Sequence, residues 1–108
     1  MANIKTFQFD TPGGGAIPPD GTSFFTIGPS DAFATGAITV TAIPTNFAPG
    51  GKTMFIEVVQ MATRKEAGGL GGSPRFFLDI VVRNNSHVGT PEESTIEKYE
   101  VFVSVVKP

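Results

Sequence analysis

Apolar residues in this chain recur at every second position, in short runs separated by clumps of glycine and proline. The clearest run is Ala37 to Ile43, where Ile38, Val40 and Ala42 alternate with Thr39 and Thr41. A period of two sends successive side chains to opposite faces of a β-strand, so this run predicts a half-buried strand. The same pattern predicts strands from Ile4 to Phe9, Thr22 to Ile27, Thr53 to Thr63, Arg75 to Arg83 and Tyr99 to Val106. The breaks between them carry turn chemistry, as in Thr11-Pro12-Gly13-Gly14-Gly15, Pro18-Pro19-Asp20-Gly21 and Ala48-Pro49-Gly50-Gly51. Ser30 to Phe33 reads as a short turn or a bulge. Four glycines in five positions, Gly68 to Gly72 around Leu70, predict a mobile hairpin tip. Thr90-Pro91-Glu92-Glu93 has the order of a helix start: a capping Thr, Pro at the first position and acid at the positive end of the dipole.

Composition narrows the class. Ten Val and eight Ile stand against two Leu, with twelve Thr and ten Phe beside them, a balance that favours strands and excludes an all-helical chain. The 108 residues fit one domain, residues 1–108, and six or seven strands at this turn spacing predict an antiparallel β-sandwich of about six to eight strands. An immunoglobulin-like Greek key is the expected topology, with a jelly roll or small barrel as the alternative. Tyr99 at a strand start is similar to a tyrosine corner, whereas the Cys–Trp–Cys pattern of immunoglobulin domains is missing, since the chain holds neither residue type.

The residues that are missing also bound the chemistry. Without Cys there is no disulfide, thiolate metal site or cysteine nucleophile. The formal net charge of −2 argues against a nucleic-acid partner, and no apolar run reaches the length of a membrane helix. The N-terminal stretch lacks the apolar core of a signal peptide, so a cytoplasmic location is expected, with a mature secreted domain as the alternative. His87, the one histidine, sits in a turn-like Asn84-Asn85-Ser86-His87 stretch with no nucleophile elbow in the chain. The acids Glu92, Glu93, Glu97 and Glu100 read as a solvated turn, and Asp10, Asp20 and Asp31 are too isolated for a calcium loop. No catalytic residue, metal ligand or cofactor is assigned, and the expectation is a non-enzymatic protein.

The strongest functional signal is an excess of apolar residues over what one core needs. Alternation gives Met54, Ile56 and Val58, then Phe76, Leu78, Ile80 and Val82, then Val101, Val103 and Val105 to the core. The opposite faces then carry Phe55, Val59 and Met61, then Phe77 and Val81, then Phe102 and Val106, mixed with charges of both signs. If these strands are neighbours, Phe55, Val59, Phe77, Val81 and Phe102 form an association surface for a second copy or a protein partner. The competing expectation is that residues 10–22 or 84–95 of the same chain cover that face. A ligand- or glycan-binding role through the loop residues Arg64, Lys65 and Arg75 is the alternative function. It is weakened by the lack of Trp and the single Tyr, because sugars stack on such rings.

Overall fold

The computed structural model describes residues 3–46, 54–86 and 94–107. Six antiparallel strands form two three-stranded sheets that pack face to face as a β-sandwich: β1 (Asn3–Asp10), β2 (Thr22–Ile27), β3 (Ala37–Pro44), β4 (Ile56–Glu66), β5 (Arg75–Asn84) and β6 (Tyr99–Lys107). One sheet has the order β1-β6-β3 and the other β2-β5-β4. Only β4 and β5 are joined as a hairpin within one sheet. Every other connection crosses from one sheet to the other, so the first strand pairs with the last along its whole length, Asn3 opposite Lys107 to Asp10 opposite Glu100.

The two central strands supply the core. On β5, Leu78, Ile80 and Val82 are fully buried, and on β6 so are Val101, Val103 and Val105, as alternation predicts. Phe25 and Ile27 of β2 and Phe33 of a short 3-10 turn join them, while Ile38, Val40, Ile56 and Val58 of the outer strands and Met54 just before β4 pack half-buried against them. Each fully buried aliphatic side chain contributes about 1.5–3 kcal/mol relative to an exposed one. The 3-10 turn, Asp31–Phe33, starts at Ser30, whose hydroxyl accepts from the Ala32 N–H.

One end of the sandwich closes on polar groups rather than on apolar ones. Fully buried Asn84 donates its amide to the Ile17 carbonyl at 2.8 Å and the Ser94 carbonyl at 2.7 Å, and its side-chain oxygen accepts from the Ser86 N–H at 2.8 Å. Ser86 in turn accepts from the Phe55 N–H at 2.8 Å and donates back to the Phe55 carbonyl. This network holds residues 17–21 and 94–96 against the start of β4, and Ile17 bridges Ile96 beside it. Tyr99 is also fully buried, and its hydroxyl accepts from the Gly13 N–H at 3.0 Å. A tyrosine corner closes on backbone a few residues upstream; this hydroxyl instead reaches across 86 positions to the loop after β1. The expected helix start at Thr90-Pro91-Glu92-Glu93 and His87 lie outside the described residues.

Candidate functional site

The partition of the strands divides the expected association surface. β4 and β5 are neighbours, but β6 is the centre of the opposite sheet, so Phe102 faces away from Phe55, Val59, Phe77 and Val81. The expectation assumed that consecutive strands pair, and the crossing connection from β5 to β6 removes that basis. On its own outer face Phe102 is half-buried between Gln8 and Thr41, next to a polar row of Thr6, Ser104 and Thr39.

The β2-β5-β4 sheet carries the more informative outer face. Residues directly opposite in neighbouring strands share a face, so the register builds it row by row. Val81 has Phe24 on one side and Gln60 on the other; Val59 is the extra residue of a bulge between Val58 and Gln60 and joins this row. Phe24 is 63% exposed and Val59 47% exposed, so an apolar row crosses three strands in contact with solvent. Toward one end lies the row Thr22, Arg83 and Glu57; toward the other lies Thr26, Asp79 and Ala62. Phe55 sits beyond the Glu57 row and is 56% exposed.

The bulge also moves Met61. One extra residue inverts the alternation of a strand, so Met61 stands opposite Ile80 on the inner row and not on the outer face expected for it. It remains 41% exposed. Of the segments expected to cover the outer face, residues 10–22 instead close the end of the sandwich through Ile17 and Asp20, whose N–H donates to the Asn84 carbonyl; of residues 84–95, Asn84, Ser86 and Ser94 belong to that same closure, and residues 87–93 lie outside the described residues.

Beyond Asp79 the β4–β5 hairpin carries a chain of ion pairs on this face. Asp79 accepts from Arg64 Nε at 2.9 Å and Nη2 at 3.3 Å and from the Thr26 hydroxyl at 2.7 Å. The Arg64 guanidinium, followed by the Thr26 hydroxyl, holds the Asp79 carboxyl below its ordinary value of 3.8. Arg64 also pairs with Glu66, and Arg75 reaches Glu66 at 3.6 Å. Both guanidiniums lie over the Phe77 ring, at 4.5 Å and 5.9 Å from its centroid, an attractive arrangement of cation and ring face. Phe77 is therefore occupied by its own chain's arginines and is not a free apolar contact.

The three basic residues expected to form a loop contact are not brought together. Arg64 and Arg75 share the outer face, where Glu66 and Asp79 compensate them, whereas Lys65 lies on the inner row with its ammonium 5.8 Å from the Phe76 ring centroid. Among the described residues no three or more His, Cys, Asp or Glu side chains are grouped so as to hold a metal ion, and no helix is long and apolar enough to cross a membrane. Comparison of the chain with protein-family models, curated proteins and solved structures finds no match.

Phe24 is the member of this surface that the sequence reading leaves out. The signal is present: in Thr22-Ser23-Phe24-Phe25-Thr26-Ile27, alternation that buries Phe25 and Ile27 necessarily turns Phe24 outward. The bulge at Val59 leaves no comparable mark, since Val58-Val59-Gln60 has neither glycine nor proline.

Proposed function

We propose that this chain is a non-enzymatic interaction module that self-associates through the outer face of the β2-β5-β4 sheet. The observation that carries this reading is the row of exposed Phe24, half-buried Val81 and exposed Val59, bordered on both sides by charged rows. An apolar centre within a polar, charge-bearing rim is the arrangement of protein interfaces, and covering the exposed part of a Phe removes apolar area from water at about 25 cal/mol per Å². The alternative of a glycan- or ligand-binding role through residues 64–75 draws no support from this geometry, because Lys65 lies on the inner row and is not gathered with Arg64 and Arg75.

Light scattering across a wide range of protein concentration tests the proposal. The chain is expected to assemble as concentration rises, and a Phe24→Ser/Val59→Ser variant that keeps the far-ultraviolet spectrum is expected to stay monomeric. A parent chain that remains monomeric up to millimolar concentration overturns it.

A further inference from the structure

The charges around the row define how two copies would meet. We infer that the partner on this face is a second copy related by a two-fold axis lying along the Phe24–Val81–Val59 row, an inference that rests on the self-association proposed above.

Two copies of one sheet packed face to face with two-fold symmetry have their axis in the plane between them, and each residue then meets the position obtained by reflecting its own across that axis. Take the axis across the strands, along the apolar row. Phe24 then meets Phe24, Val81 meets Val81 and Val59 meets Val59. Along β5 the position two residues before Val81 meets the position two residues after it, so Asp79 of each copy meets Arg83 of the other. The pairing occurs twice by symmetry. Thr26 meets Thr22, and Arg64 approaches the exposed Phe55 of the other copy. The strands of the two sheets run nearly antiparallel, within the aligned geometry in which sheets pack.

Take the axis instead along β5. β2 then lies over β4, Asp79 meets Asp79 and Arg83 meets Arg83. Like charges placed opposite one another in an interface oppose association, so the face itself favours the first arrangement. Asp79 and Arg83 are each held in position by pairing within the chain, with Arg64 at 2.9 Å and with Asp20 at 3.2 Å, so both are oriented before a partner arrives.

The absence of Cys makes the test direct. Single variants Asp79→Cys and Arg83→Cys are made, with Thr22→Cys and Thr26→Cys as a second pair that leaves the charged groups in place, and Thr39→Cys on the outer face of the other sheet as control. Each is treated with a short bismaleimide, alone and in mixtures, after circular dichroism confirms folding. Cross-linking in the 79/83 mixture and in the 22/26 mixture is expected to be at least about tenfold faster than in any single variant, in proportion to the discrimination that charge pairing gives. Fast 79-to-79 and 83-to-83 linkage in the single variants, with assembly intact, overturns the axis and leaves the associating face standing. No assembly of the parent chain, and no linkage above the Thr39→Cys control, overturns both.

Discussion

Asn84 is a polar residue in a place where burial is costly, and its three hydrogen bonds explain why it is tolerated. Removing its amide takes one donor from the Ile17 carbonyl, which keeps the Ile96 N–H, and one from the Ser94 carbonyl, and it takes the side-chain acceptor from the buried Ser86 N–H; a buried group deprived of its partner costs about 1–3 kcal/mol. Asn84→Ala is therefore expected to lower unfolding stability by about 2–4 kcal/mol in a urea titration, while Asn85→Ala, one position on and only half-buried, stays within about 0.5 kcal/mol. Asp79 makes a pH-dependent contribution with a definite sign. Its folded carboxyl is held lower than its unfolded one, so its ion pair with Arg64 stabilises fully above the ordinary value of 3.8 and is lost as pH falls through the lowered folded value. The Arg64 side chain is 38% exposed, so the amount is that of a screened pair, about 1 kcal/mol or less. Asp79→Asn should flatten the loss of stability between pH 4 and pH 2, read by thermal melts at each pH; an unchanged slope would show that Asp79 gains nothing from Arg64. Gly28 sits at φ +122, where a Cβ would lie 2.9 Å from the Phe76 carbonyl oxygen. Gly28→Ala is expected to cost about 1–3 kcal/mol through backbone strain at that φ, measured by the same titration.

At the level of strands, the alternating pattern located all six, because a half-buried strand shows its two faces in the sequence. Core residues such as Leu78, Ile80, Val82, Val101, Val103 and Val105 were legible for that reason. Which strands are neighbours was not, since pairing is set by the long-range fit of two faces and has no local mark. The assignment of Phe102 to the surface of Phe55 and Phe77 failed on that point alone. The bulge at Val59 was equally silent and turned Met61 inward. It has a second effect on the sheet edges. A bulge and an inward-pointing Lys are devices that stop an edge from pairing with foreign strands; β4 has both, in Val59 and Lys65, and β1 has Lys5 opposite Val105 on its inner row. β2 and β3 carry no charged residue at all. Replacing outward-facing Thr41 of β3 by Lys is expected to leave stability within about 0.5 kcal/mol and to slow aggregation of a heated sample, measured by turbidity.

For the whole molecule, the candidate site was legible only in part. The surplus of Phe, Val and Ile pointed to apolar residues on a second face, and counting along the strands put Val59 and Val81 on the outer face where the register has them. Phe77 was named too, yet the structure engages it with Arg64 and Arg75, a contact between strand neighbours that no spacing in the chain reveals. Leu70 stands at the tip of the β4–β5 hairpin, fully exposed between two pairs of glycines. It buries nothing within the chain, so Leu70→Ser is expected to change unfolding stability by less than about 0.5 kcal/mol.

The pairing of β1 with β6 bears on how this protein is made. The centre of one sheet is its last strand, so during synthesis β1 and β3 have nothing to pair with until residues 99–107 leave the ribosome. Only the β4–β5 hairpin joins strands that are local in the chain. Loop closure across nearly the whole length must precede the gain from these contacts, which slows folding. Until β6 is made, β1 and β3 lack the strand that lies between them in the finished sheet.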